Sequence, residues 1–262
     1  MELFHGMDVL HAIAGLFVGL LVGLTGVGGG SLMTPLLVLM FGVNPHTAVG
    51  TDLLYAATTK IAGSAVHGWR ETVDWKIMRR LACGSLPAAA VSLVLLNKFG
   101  HLNNHATRIV LGMLGCMLLL TAVATLFQRK IAMFARREEP VDERHTFLPT
   151  IGLGLVLGVA VSVSSVGAGA IGVTALLVLY PHLPVARIIG TDIAHAVPLA
   201  LVAGFGHWML GDVDFTLLGN LLIGSIPGVI VGSLLSSRAA DKWLRPALAA
   251  VLVVSGLKLL TS

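Results

Sequence analysis

The triplet Gly50-Thr51-Asp52 returns 140 positions later as Gly190-Thr191-Asp192, and it does not return alone. Gly15, Leu16, Gly19 and Val22 reappear 139 positions on as Gly154, Leu155, Gly158 and Val161. Val27-Gly28 with Gly30 reappears at the same offset as Val166-Gly167 with Gly169. From Thr34 the offset is 140: Thr34 matches Thr174, His67 matches His207, and Val73-Asp74 matches Val213-Asp214. Gly84-Ser85 with Pro87 likewise matches Gly224-Ser225 with Pro227. Apolar runs pair by chance, but two polar triplets in register do not. The chain is an internal duplication, so its fold must accommodate two similar copies.

The solvent of those copies follows from composition. Hydrophobic residues make up 56% of the chain and charged residues only 11%, against about 25% charged in a soluble domain. Each half holds five apolar segments, near 9–25, 32–43, 47–68, 77–97 and 107–127, then 148–165, 170–181, 187–209, 215–237 and 243–261. A helical span needs about 20 residues. The second segment of each half falls short, and each adjoins a glycine-rich stretch. Broken backbone at membrane depth is tolerated only where protein or a water-filled cavity surrounds it. The expectation is an all-α polytopic membrane protein with eight to ten transmembrane or re-entrant helices. Its first membrane repeat covers 1–127, a polar cytoplasmic linker 128–147, and the second repeat 148–262. The first apolar stretch follows Glu2 and Asp8 instead of a basic region, so it reads as a span and not as a cleaved leader.

Charge orients the halves. Arg70, Lys76, Arg79 and Arg80 lie between the third and fourth segments, and Arg129, Lys130, Arg136, Arg137 and Arg144 lie in the linker, two spans away. Both loops are therefore placed on the cytoplasmic side. The matching loop of the second half holds Asp212 and Asp214 without a base, whereas Arg187 and the group Arg238, Lys242 and Arg245 lie one span to either side. Lys98 and Arg108 dissent from this pattern. The halves are thus expected to be inverted, as in many secondary transporters, with a substrate site near the midplane. The net charge of +4 is spread over short loops, and the basic patch with interleaved aromatics that nucleic-acid binding needs is absent.

Several residues carry candidate chemistry. The glycine loop 26–31 includes Gly28, Gly29, Gly30 and Ser31, and its echo holds Gly167 and Gly169. Glycine allows close backbone approach, and a half-helix starting there offers free N–H groups to an anion. Tight helix packing is the alternative. Thr51-Asp52 and Thr191-Asp192 read either as helix caps or as a substrate hydroxyl beside a carboxylate that takes a proton or a cation. Lys60 lies well inside the third segment, where its repeat mate is Ala200, and a lysine there costs roughly 2.5–3.5 kcal/mol on insertion scales. It reads as an anion attractor or as a partner of Asp52. His195 lies inside a span and suits an anion or a proton. His67 and His207, next to Trp69 and Trp208 or nearly so, read as interfacial anchors. The stripes Gly15, Gly19, Gly23 and Gly224, Gly228, Gly232 permit close helix contact. Neither Cys83 nor Cys116 stands in a metal or redox pattern, and no metal site or cofactor is expected.

The segment 23–35, the Gly50-Thr51-Asp52 turn and their counterparts in the second half resemble the TauE/SafE sulfite exporter family, over nearly the whole chain. Ala168, Ala170 and Ala175 depart from the pattern, which makes the two half-sites unequal. The resemblance implies a multi-pass protein of the inner membrane that exports sulfite or a short organosulfonate such as sulfoacetate, and not an enzyme. A passive anion channel and an uptake permease are the alternatives. Expected partners are the small anion, the lipid bilayer and protons as the coupling ion.

Overall fold

A computed structural model describes residues 8–25, 30–67, 73–100, 104–135, 143–235 and 241–261. The described chain forms ten helices and no strand: α1 Val9–Thr25, α2 Gly30–Met40, α3 Pro45–His67, α4 Trp75–Gly100 and α5 Asn104–Ala135 in the first half. The second half contains α6 Glu143–Ser164, α7 Ala170–Leu179, α8 Val185–Met209, α9 Phe215–Leu235 and α10 Asp241–Leu260. Eight of the ten expected segments begin and end within about three residues of these bounds, and α6 begins earlier than expected, at Glu143 instead of 148. The fifth segment runs past its expected end: α5 continues through residues 128–135, so the linker is shorter than its polarity suggested. The reason is that Gln128 is buried and accepts a 2.8 Å hydrogen bond from Arg245 of α10.

The distribution of side chains is that of a protein dissolved in lipid. Phe17, Val94, Leu120, Val156, Phe205, Ile223, Leu234 and Val254 are exposed on the outside. Thr34, Asp52, Lys60, Ser85, Thr191, Asp192 and His195 are buried. A soluble protein could not present so much contiguous apolar surface to water. Among the described residues five helices are long and apolar enough to cross a membrane: those at Trp75–Lys98, Thr107–Gln128, His145–Ser164, Val185–Met209 and Phe215–Leu235. By contrast α2 has 11 residues and α7 has 10. At 1.5 Å per residue they reach about 16 and 15 Å, half of a hydrocarbon core of about 30 Å.

Lipid tails are as apolar as leucine, so helices associate here through close fit and polar contacts. The fit is made by glycine and is reciprocal between the halves. Gly15, Gly19 and Gly23 of α1 lie on the backbone of α9 at Leu221, Ser225 and Val229. Gly154 and Gly158 of α6 lie in the same way on α4 at Leu81 and Ser85, the repeat mates of Leu221 and Ser225. A Cβ on any of these glycines would overlap the partner's main chain. The mates α3 and α8 pack on each other: Gly50 sits against His207, and Gly204 against Leu53 and Leu54, a register that runs antiparallel. Between α5 and α10, Gly115 meets Gly256 and Leu260 while Gly256 meets Leu119, which also runs antiparallel.

Two further bonds cross the halves in pairs. The Asp214 amide donates to Thr51 Oγ1 at 3.1 Å, and the Asp74 amide donates to Thr191 Oγ1 at 2.8 Å. Both aspartates cap helices. Asp74 accepts from the amides of Lys76 and Ile77 at the start of α4, and Asp214 from those of Thr216 and Leu217 at the start of α9. A side-chain oxygen satisfies helix N–H groups that have no partner within the helix.

Candidate functional site

Polar groups that cannot be solvated by lipid gather where the short helices meet α3 and α8. The register of α3 on α8 places residue 60 opposite positions near 197, so Lys60 projects within one turn of His195. Asp192 and His195, three residues apart, share one face of α8. Asp52 comes to the same region from α3. All four residues are buried, with Lys60 the least so at 9% exposure.

The two aspartates are held differently although they are repeat mates. Asp52 Oδ2 accepts hydrogen bonds from Thr34 Oγ1 of α2 at 2.5 Å and from Ser165 Oγ at 2.9 Å. Its Oδ1 has no partner. Neither oxygen of Asp192 has a hydrogen-bond partner. Its carboxylate lies against Gly172 of α7, in the space a side chain there would fill. The buried face explains the difference: α2 buries Met33, Thr34 and Leu37, whereas α7 buries Gly172, Val173, Leu176 and Leu177. Thr174, the mate of Thr34, is turned aside and its hydroxyl is unpartnered. Lys60 lies within electrostatic range of Asp192 and, more weakly, of Asp52. It closes no direct ion pair with Asp192, and stands as one cation within electrostatic reach of both carboxylates.

His195 Nε2 is 2.7 Å from Ser85 Oγ of α4, and its Nδ1 is buried without a partner. The repeat mates of this pair are Tyr55 and Ser225. They lie close together, yet neither oxygen has a partner at hydrogen-bonding geometry. The architecture is thus repeated while the chemistry is not.

The break between α6 and α7 supplies the rim. Ser165 has φ 59, Gly167 has φ 126 and Gly169 has φ 127. Glycine takes such angles freely, whereas serine is strained there. Gly169 caps α7 with no side-chain bond. In the first half α1 ends at Thr25 and α2 begins at Gly30, with Ser31 half-buried in its first turn. Gly28 and Gly29 lie outside the described residues.

Among the sequence candidates, Asp52, Lys60, Asp192 and His195 come together, flanked by Gly167 and Gly169. Thr51 and Thr191 do not join them as free ligands, because their hydroxyls are committed to the amides of Asp214 and Asp74. His207 is a correction. It is 1% exposed, with Nδ1 3.0 Å from Asp212 and Nε2 2.8 Å from the Ser162 carbonyl, so it ties α8 to α6 and is not an interfacial anchor. The side chain of His67 lies outside the described residues. Thr34, Ser165, Ser85 and Gly172 were not foreseen as parts of the site. The recurrence of Thr34 as Thr174 and of Ser85 as Ser225 was the available signal.

An all-helical bundle with an apolar exterior, interrupted helices and ionisable groups enclosed at its centre defines a multi-pass membrane transporter. The chain belongs to the sulfite exporter TauE/SafE family, whose profile matches residues 11–259. It is 40% identical over 258 residues to the probable membrane transporter protein YjnA of Bacillus subtilis, covering 97% of this chain and 100% of that one. The probable membrane transporter protein YdhB of the same organism is 29% identical over 249 residues, 93% of this chain and 96% of the relative. The probable membrane transporter protein MJ0441 of Methanocaldococcus jannaschii is 25% identical over 268 residues, 96% and 94% of the two chains. No solved structure matches significantly.

Proposed function

We propose that the protein is a secondary carrier that exports a small sulfur-containing anion, sulfite or a short organosulfonate such as sulfoacetate, across the inner membrane by alternating access between two inverted repeats. The observation that carries this reading is Lys60. It is an ammonium at the centre of a bundle, buried and without a direct ion pair to Asp192. An ionisable group inside a membrane is costly and is retained for function. A small anion fits as its partner, with the Nδ1 edge of His195 and backbone amides near Gly30, Ser31, Gly167 and Gly169 as neutral donors.

Inversion of the repeats is supported by the antiparallel packing of the mates α3 with α8 and α5 with α10, and by the placement of basic loops. Two short helices, α2 packed on α3 and α7 packed on α8, suit a site at which thin barriers on either side open in turn. Thr51 and Thr191 then hold the two halves together, and Asp52 joins the halves through Ser165. Export, as the working direction, follows the family's description and proceeds whenever the outward gradient of the anion outweighs the opposing gradients of whatever moves with it.

The test is counterflow in proteoliposomes, with labelled sulfite inside and unlabelled sulfite, sulfoacetate or sulfate outside. Saturable exchange with the sulfur-containing anions is expected, and Lys60→Ala should lower it at least tenfold while the protein stays folded. Lys60→Ala with unaltered binding and exchange rules out the anion attractor. Currents that do not saturate and show no counterflow replace the carrier with a channel.

A further inference from the structure

We infer that Asp192 is the coupling site of this carrier, and that one proton rides on it for each anion moved, because its carboxylate and the anion compete for the ammonium of Lys60. The inference rests on the anion-carrier reading above and names its coupling ion.

Charge counting within the buried cluster leads there. Asp52 and Asp192 carry two formal negative charges and Lys60 one positive, so the cluster as it stands repels an anion. The groups facing Asp192 can be counted from each element packed on α8. From α3 come Lys60, Asp52 and Tyr55, and from α4 Ser85, which touches His195. Residues 146–164 of α6 and the whole of α7 carry no ionisable side chain. On α8 itself, Arg187 is turned away to Asp74, 3.3 Å from its carboxylate. On α4, Arg80 reaches to the Thr146 and Tyr180 hydroxyls, so among the described residues Lys60 is the cation that acts on Asp192, and the deficit must be met by neutralising a carboxylate.

Asp192 is the one suited to that task. Asp52 is fixed by two hydroxyl donors, Thr34 and Ser165, which favour its charged form. Asp192 is 1% exposed, and both oxygens lack any hydrogen-bond donor. Only Lys60 balances its charge. When a proton from the water of one side adds to Asp192, its through-space attraction for Lys60 falls away, and the anion takes over the ammonium. When the anion leaves on the other side, Asp192 returns the proton to that side's water and reclaims the ammonium. A metal cation suits the position less well, since it would set a second full positive charge beside Lys60 in a dry site with two acid oxygens to ligate it.

The probe is sulfoacetate, whose sulfonate stays ionised at neutral pH, in proteoliposomes that enclose a pH-sensitive dye. The wild-type protein should acidify the lumen as sulfoacetate enters, and an acidic exterior should drive its accumulation at least tenfold above the ungraded level. Asp192→Asn mimics the protonated form. Whatever its rate, the sulfoacetate counterflow it supports should be independent of pH, with both acidification and pH-driven accumulation lost. Retention of pH-driven accumulation in Asp192→Asn overturns the assignment, as does accumulation driven by a sodium gradient and not by a pH gradient. Should that variant fail to insert, the wild-type dye signal decides alone, because sulfoacetate entry without acidification overturns proton coupling. Counterflow without proton movement defeats only this inference, whereas no saturable counterflow of any sulfur-containing anion defeats the carrier reading with it.

Discussion

Ser165 donates its hydroxyl to Asp52 across 2.9 Å, from a left-handed backbone in the second half to a carboxylate in the first. Strain and bond oppose each other at one residue, so two substitutions separate them. Ser165→Ala removes the bond and keeps the strain. A hydrogen bond to a charged group is worth about 1.5–3 kcal/mol, and that loss is the expected destabilisation. Ser165→Gly removes the bond but also relieves a backbone cost of order 1 kcal/mol. Thermal unfolding in detergent should rank wild type above Ser165→Gly and Ser165→Ala lowest. An Ala variant as stable as wild type shows that the bond between the halves contributes nothing.

Thr51 and Thr191 provide a second pair of ties between the halves. Each hydroxyl accepts a main-chain amide of the opposite repeat, and the amide belongs to an aspartate that caps a helix. Thr51→Ala and Thr191→Ala should each lower stability by about 1–2 kcal/mol, as expected for losing a hydrogen bond at a partly buried amide. Thr51→Ser should stay near wild type because it keeps the oxygen. A substrate ligand would behave otherwise: Thr51→Ala would raise the half-saturating anion concentration in counterflow and leave the unfolding temperature alone.

Gly172 has its own reason to be glycine. The Asp192 carboxylate occupies the position a Cβ would take, so Gly172→Ala must push the acid aside or shift α7. Overpacking of this kind costs about 1–3 kcal/mol. Contacting residues are non-additive, which gives a sharp check. In an Asp192→Ala background the added methyl has room, and Gly172→Ala should then cost less than half as much in thermal unfolding. Equal costs in both backgrounds mean the two groups do not touch.

The helices were legible because a span is written in a run of twenty apolar residues, and the repeat was legible because Gly-Thr-Asp recurs. Less legible was the end of α5, where Gln128, Arg129 and Lys130 look like a loop until Arg245 is seen to accept the role of partner for Gln128. The site was half legible. Lys60, Asp52, Asp192 and His195 announce themselves as ionisable groups in apolar runs. Their companions Thr34, Ser85 and Ser165 do not, because serine and threonine occur throughout membrane helices and mostly bond their own helix, as Thr59, Ser92 and Thr125 do here. Only the three-dimensional register decides which hydroxyl reaches a carboxylate. The same register, set by Gly50 on His207 and Gly204 on Leu54, turns Lys60 toward Asp192 and not toward Asp52 alone.

Gly158 and Gly19 are repeat mates that make the same contact with different consequences. Gly158 lies on the backbone of Ser85, whose hydroxyl holds His195 at 2.7 Å. Gly19 lies on Ser225, whose hydroxyl has no partner. An alanine at either position forces the helices apart, at a cost of about 1–3 kcal/mol for a methyl inserted into a filled contact. Stability should fall similarly in both. Transport should not: Gly158→Ala moves Ser85 away from His195 at the centre of the site, whereas Gly19→Ala moves a hydroxyl that lies beside Tyr55 without a well-formed hydrogen bond. At a temperature where both variants remain folded, counterflow should therefore fall several-fold more in Gly158→Ala than in Gly19→Ala. Equal losses in the two would mean that the Ser85–His195 contact is packing alone and that the site is as symmetric as the glycines that frame it.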